Sequence, residues 1–414
     1  MITNLKKYLP YLLPLLLIFS RSVADITIVL ISILFIYHSY KKLGWGWVKE
    51  KWFCFALIFW VYCLTINSAF SINPTESLAY SLFFIRWPIF AMALAYWILT
   101  DIKSLKKFLL AMTLVLIFII FDTWWQFFFE QDIFGFEKYM PNRLTGPFKG
   151  NPHVGAWIAK LILLPPLFLI LYDKLKLQEH QNCLTYSFFI ISTILFLSVA
   201  ITGERMALLL SLASIFILFI GLALNKIFLL KKISLLLLFS FFAILIFAYS
   251  FPHTTERAYF STIEKILNWR TSDYGLVWQS AYDVWVQSPL FGAGLHKYRE
   301  ACENLGIYGS SYLNAIGGGV CFHPHNISIQ LLSETGLVGF ILFYAMVIVL
   351  AFTSLKIYFT SKLWLSFALV FNIIFTCFLP IASSTSFFAN KYGAIVWLLV
   401  GVMLATNRLF KKEN

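Results

Sequence analysis

The sequence predicts an all-α integral membrane protein of about twelve transmembrane helices, with both termini on the cytoplasmic side. Three observations lead there. Of 414 residues, 60% are hydrophobic, 19% aromatic and only 12% charged, a composition that cannot dress a soluble surface but suits a core inside a lipid-facing shell. Apolar runs long enough to cross about 30 Å of hydrocarbon recur along the whole length. Basic residues gather on alternate connections between those runs, as the positive-inside rule requires.

The runs are residues 8–20, 22–38, 52–70, 79–100, 107–129, 152–172, 184–202, 206–224, 233–251, 327–355, 363–381 and 388–407. The first two are short and closely spaced. The first holds Pro10 and Pro14, leads to Arg21 and lacks a small-residue cleavage site, so it is expected to be a retained span. With the N-terminus inside, the cytoplasmic segments carry 19 Lys and Arg and the outer segments 11. Five of those 11 lie in a long loop, 252–322, which the rule does not count. The net charge of +13 therefore reads as anchoring beside anionic lipid and gives no nucleic-acid footprint.

The chain reads as a single polytopic membrane domain, 1–414, with two outer excursions. The smaller is 130–151. The larger is the loop 252–322 between spans nine and ten, with helical patterns near Glu256–Asn268 and Gly275–Val286. Loops of that length usually gather substrate or form lids. The cytoplasmic connections are short, so chemistry is expected on the outer face. No internal repeat is visible, and the link between spans six and seven, 173–183, is short. Both features count against a polysaccharide or lipid transporter, which is normally built from two similar halves.

Six cysteines are scattered along the chain. Cys302 and Cys321 share the outer loop and form either a disulfide in an oxidising compartment or two free thiols. No CxxC pair or His/Cys cluster suggests a metal site, and no phosphate loop suggests a nucleotide.

Polar side chains beside a membrane are costly and so draw attention. On the outer side they are Arg143, Lys149, His153, Arg205, Arg270, Arg299, His323, His325 and Glu334. Arg205 ends the hairpin Thr202-Gly203-Glu204-Arg205 just before an apolar run. A cation at that end of a helix opposes the dipole. It is either an interfacial anchor or salt-bridge partner of Glu204, or a guanidinium fork for a phosphate. His325 lies in His323-Pro324-His325-Asn326 at the predicted start of a helix, with Asn326 as a cap. There it serves either as a capping or packing residue or as a neutral imidazole base near pH 7. If the helix begins there, Ile329 and Leu332 share its face and Glu334 points away. Gly336 and Gly339 are expected to allow close helix approach. Pro289-Leu-Phe-Gly292-Ala-Gly294 reads as a turn ending a loop helix. Trp124, Trp125 and Phe127–Phe129 read as an interfacial belt, with sugar stacking the lesser alternative. Arg86, Asp122 and Lys160 are the few polar groups at mid-membrane.

These residues carry a resemblance. His325-Asn326, nine residues, then Gly336-Leu-Val-Gly339 resembles the pattern of the O-antigen ligase (WaaL) family, within a superfamily that also holds the Wzy O-antigen polymerases. The family often has Thr next, where this chain has Phe340. Ser288-Pro-Leu-Phe-Gly-Ala-Gly-Leu resembles the family's Pro-Leu-x-Gly-x-Gly turn, and Thr202-Gly-Glu-Arg205 its short arginine hairpin. A second family arginine lies a few residues before a Trp such as Trp278. Here that position reads Tyr274-Gly275-Leu276 and the nearest arginine is Arg270. The resemblance covers roughly residues 140–345 with motifs.

The resemblance implies an inner-membrane, metal-independent, inverting glycosyltransferase acting on the periplasmic face. Its donor would be a glycan on undecaprenyl pyrophosphate and its acceptor, for a ligase, lipid A–core. His325 would be the catalytic base, with Arg205 and Arg270 on the pyrophosphate. Arg143, Lys149, Arg299, His323 and Glu334 are further candidates for substrate contact, His323 ranking below His325 because only His325 has the family spacing. No cofactor is called for. A Wzy-type polymerase is the alternative, followed by an oligosaccharyltransferase acting on protein.

Overall fold

The computed structural model describes residues 2–172, 181–224, 267–307, 319–361, 364–380 and 385–412, with scattered positions between 234 and 252. Among them the chain is nearly all helical, with only two isolated β-bridges, Gln131 to Glu137 and Met140 to Arg143. It is a multi-pass membrane protein. Six described helical stretches are long and apolar enough to cross a bilayer: Arg21–Leu43, Pro74–Ile98, Ile102–Phe129, Val154–Leu171, Ile327–Lys356 and Asn390–Lys411. Five shorter apolar helices, Tyr8–Phe19, Lys51–Asn67, Tyr186–Ala200, Arg205–Gly221 and Phe367–Phe378, fall where spans were expected. The expected span 233–251 and the loop helix expected over Glu256–Asn268 lie largely outside the described residues.

We number the described helices that position the site: α1 (Ile2–Phe19), α2 (Arg21–His38), α3 (Lys51–Tyr62), α4 (Pro74–Phe84), α5 (Arg86–Ala93), α6 (Ile102–Phe129), α7 (Val154–Leu161), α8 (Leu164–Tyr172), α9 (Gln181–Ala200), α10 (Arg205–Leu224), α11 (Asp273–Gln287), α12 (Tyr298–Asn304), α13 (Ile327–Ser361), α14 (Trp364–Ile373) and α15 (Asn390–Lys412). Local chemistry sets several of these bounds. Asp101 and Ser104 form a capping box at the start of α6, whose 28 residues reach about 42 Å at 1.5 Å per residue. Asn73 caps α4, with Pro74 in the first turn, where its missing N–H costs nothing.

Of the six long apolar stretches the most enclosed is α15, whose apolar residues Ala394 to Val400 are almost wholly buried against α5 and α14. Outward-facing Leu, Ile and Phe side chains along α2 and α6 stay exposed, as a lipid-facing shell requires. Trp125, Phe128 and Phe129 at the C-terminal end of α6 belong to that surface, in keeping with a belt, while Trp124 donates its indole N–H to Ser198. The mid-membrane polar groups have structural partners. Arg86 bonds Asp25 at 3.1 Å and Asn390 at 2.9 Å, tying α5 to α2 and α15. Asp122 accepts the Ile133 N–H, and Lys160 bonds the Ala156 carbonyl and faces the Tyr392 ring.

The described part of the long loop has its own small core. Val277, Ala281 and Val284 of α11 pack with Ala293, Tyr298, Ala301, Val320 and the disulfide-bonded Cys302 and Cys321. The two open cysteine readings thus resolve to a bridge. The helix expected over Gly275–Val286 forms as α11, capped by Ser272.

Candidate active site

The turn 289–297 and the break in α13 form one lock. Gly336 has φ +66°, a left-handed value that divides α13 into two helical pieces. Ala293 and Gly294 donate their N–H groups to the Ser333 and Glu334 carbonyls, and Leu337 and Val338 donate theirs to Pro289 and Leu290. A Cβ on Gly336 would lie 2.2 Å from the Leu290 oxygen, and one on Gly292 would lie 2.5 Å from the Glu334 backbone. Only glycine permits this approach. The expectation of plain helix packing is corrected at Gly336, where a turn docks into a broken helix. It holds better at Gly339, whose added Cβ would crowd Tyr62 of α3.

Polar side chains fasten the lock to the bundle. Asn67 bonds the Phe291 and Glu334 carbonyls and accepts the Leu295 N–H. Tyr62 donates to the Thr335 carbonyl. Lys297 pairs with Glu76 of α4 and with Glu300. Glu334 is only 2% exposed and is spent internally, accepting from the His296 N–H and the Gln330 amide. A candidate substrate contact thus appears here as a brace.

Ten residues N-terminal to Gly336 is the histidine strip. Asn326 caps α13, its side chain accepting from Ser328 and Ile329 N–H groups. The cap was foreseen; the position of His325 is corrected. It stands outside the helix in the left-handed region at φ +51°, so it shares no helical face with Ile329 and Leu332. A non-glycine residue there stores strain of about 1–3 kcal/mol. The turn brings the half-buried His325 ring back over His323, with Nδ1 of His325 3.0 Å from Nε2 of His323 and ring centroids 3.8 Å apart. His323 itself is buried. Tyr274 of α11 meets His325 edge-on at 5.9 Å. Upstream, Tyr298 holds the Val320 carbonyl and the disulfide holds Cys321 to α12, so the strip is gripped from both sides.

Around the strip the field is positive. Burial, then His323, Arg143 and His153, hold the pKa of His325 well below its usual value, leaving the ring neutral and proton-accepting at pH 7. His153, the residue before α7, is likewise pushed down by burial and then by Lys391, Arg143 and other neighbours. Arg143 donates to the Pro152 carbonyl, and the following Leu144 N–H bonds the Thr202 carbonyl, so loop 140–153 lies on the Thr202–Arg205 hairpin.

Glu204 of that hairpin accepts the Gly155 and Ala156 N–H groups at 2.7 and 3.2 Å. It therefore caps α7. Burial raises its pKa while Arg143 and those two N–H groups oppose the rise. Arg205 begins α10 beside it, half-buried.

Other candidates lie further out. Arg270 is exposed in the short turn before α11, its guanidinium over the Trp269 ring at 5.6 Å. Arg299 is paired with Glu303 at 2.8 Å on the loop surface. Lys149 is exposed at a left-handed turn. Sequence reasoning missed Lys391, at the start of α15, whose ammonium sits 4.0 Å from the Phe148 ring centroid and 5.5 Å from that of Trp157. The only signal was a lysine at the N-terminal end of the last span. Among the described residues no group of three His, Cys, Asp or Glu is arranged to hold a metal ion.

Fold and site together define a multi-pass membrane protein with a paired-histidine, cation-rich centre at one end of its helices. Residues 188–344 match the Wzy_C family model, described as O-Antigen ligase. Over that segment the chain is similar to the O-antigen ligase/polymerase superfamily. The matched segment holds Arg205, Arg270, His325 and both glycine motifs, whereas Arg143, His153 and Lys391 lie outside it. A comparison with curated proteins gives no match.

Proposed function

We propose that this protein is an inverting O-antigen ligase: it moves O-antigen polysaccharide from undecaprenyl pyrophosphate to lipid A–core at the periplasmic face of the bacterial inner membrane. The observation that carries the reading is the His325–His323 hydrogen bond inside a positive field. If Nδ1 of His325 donates to Nε2 of His323, Nε2 of His325 keeps a free lone pair. That lone pair takes the proton of the acceptor hydroxyl as its oxygen attacks the anomeric carbon. The new C–O bond forms on one face while the bond to the pyrophosphate oxygen breaks on the other, and the electron pair leaves with the pyrophosphate. One displacement without a carboxylate nucleophile inverts the linkage. Arginines on the leaving group stabilise its growing charge, with Arg205 the better placed of the two family candidates and Arg270 the more exposed.

The test pairs purified protein with lipid-linked donor and lipid A–core acceptor. His325→Ala should abolish transfer while the protein still inserts and accumulates. Near-normal transfer by that variant would remove the mechanism. A deletion strain separates ligase from polymerase: lipid-linked polymer building up without attached O-antigen means ligase, and a single repeat still attached to core means polymerase.

A further inference from the structure

Three side chains near the histidine strip each present a nitrogen with no hydrogen-bond partner among the described residues. Nε of Arg143 and Nδ1 of His153 are buried without a hydrogen-bond partner. The half-buried ammonium of Lys391 makes no hydrogen bond or ion pair among the described residues and rests instead on the faces of Phe148 and Trp157. Lys391 and Arg143 both act on the His153 ring, so the three groups share one neighbourhood. The nearby carboxylate, Glu204, is spent on the first N–H groups of α7. Glu204 acts on both cations through its charge, but the Lys391 ammonium and Nε of Arg143 have no direct hydrogen-bond partner among the described residues, a cost that a bound anion would offset.

We propose that Lys391, Arg143 and His153 form a phosphate-binding seat for the pyrophosphate of the lipid-linked donor. This rests on the glycosyl-transfer reading, which requires a pyrophosphate within reach of the base. The seat adjoins that base, because Arg143 and His153 both act on His325. A phosphate takes donors from several directions at once, which suits an ammonium, a guanidinium nitrogen and a ring N–H on three separate segments. Aromatic faces hold the lysine in place and lessen the ordering cost of binding. All three residues lie outside the segment that matches the family, and Lys391 supplies a cation from the last helix while Arg270 stands exposed over Trp269.

The test uses the full chain in detergent with two variants, Lys391→Met, which keeps the apolar stem, and Lys391→Arg, which keeps the charge. Binding of undecaprenyl pyrophosphate is measured apart from transfer, and inorganic pyrophosphate serves as competitor. Lys391→Met should weaken both about 10- to 100-fold, as loss of one half-buried charge partner does, and raise the donor KM in step. Lys391→Arg should stay within about 3-fold, since a charge contact tolerates the exchange better than a shape contact. Thermal unfolding of each variant is recorded, and Lys391→Gln replaces Lys391→Met if the latter does not fold.

Wild-type binding by the neutral variants overturns the proposal, as does equal loss in Lys391→Arg, which would mean packing. A rise in acceptor KM alone would place the anion on the acceptor and overturn the assignment to the donor. If His325→Ala still transfers while pyrophosphate binding depends on Lys391, the catalytic reading fails and the seat stands.

Discussion

Replacing His323 tests the site most sharply, because the sequence ranked it below His325 and the geometry makes the two a unit. The 3.0 Å contact between the rings fixes which nitrogen of His325 faces outward. In the proposed mechanism it would also give the imidazolium a neutral acceptor on its other nitrogen. A hydrogen bond to a charged group contributes about 1.5–3 kcal/mol, and each 1.36 kcal/mol is a factor of ten in rate. His323→Leu should therefore lower kcat about 10- to 150-fold with donor KM nearly unchanged. In His323→Gln the amide oxygen can stand where Nε2 stood, accept the same N–H and restore kcat to within about ten-fold of wild type. Initial rates against donor concentration, at saturating acceptor, give kcat and KM separately. A leucine variant with wild-type kcat, or leucine and glutamine variants equally slow, would refute the argument.

Four more outcomes follow from the geometry. Arg205→Lys keeps the charge but loses the planar fork, so it should transfer far more slowly than wild type if phosphate is gripped at two points; full activity would return Arg205 to the role of anchor. The lowered pKa of His325 keeps its neutral form present below pH 6.5, so activity should fall only as pH drops through that lower value. Arg143→Gln removes one cation among the groups facing the ring, which are His323, His153 and Arg143, and should move the acid limb of kcat/KM upward; a limb that does not move would separate Arg143 from the base. Gly336→Ala forces a Cβ to 2.2 Å from the Leu290 oxygen at φ +66°. It should lower the thermal midpoint and activity together, the backbone strain alone being worth about 1–3 kcal/mol.

Much of the architecture was legible in composition and hydropathy because a bilayer admits few solutions: a long apolar run must be a helix. The helix over Gly275–Val286 and the cap at Asn326 were also readable, since both depend on neighbours a few residues away. What escaped was set by contacts distant in sequence. Nothing local shows that Glu204 caps α7 across 49 residues, or that Asn67 holds a turn more than two hundred residues away. His325 was expected at the helix start because a proline and an asparagine flank it. Its left-handed backbone and the pairing with His323 arise only once the strip is held by the disulfide on one side and α13 on the other. Lys391 carried no motif at all; its neighbours Phe148 and Trp157 come from more than two hundred residues earlier in the chain.

The spacing in the histidine motif now has a mechanical meaning. The nine residues Ile327 to Thr335 make two and a half turns, about 13.5 Å of helix at 1.5 Å per residue. One end is fixed by the Gly336 break, where four backbone hydrogen bonds hold the turn 289–294. The other end is the Asn326 cap, with the strained His325 immediately outside it. Each residue of helix adds about 100° of rotation, so one residue more or less between lock and cap would swing the base away from Arg143 and His153. On the proposed mechanism the glycines would act on the chemistry at a distance, by setting the angle at which the imidazole meets the cationic side chains. A short rigid helix between a backbone lock and a strained base does what a flexible loop could not, because a base must be held within about 0.5 Å of its productive position.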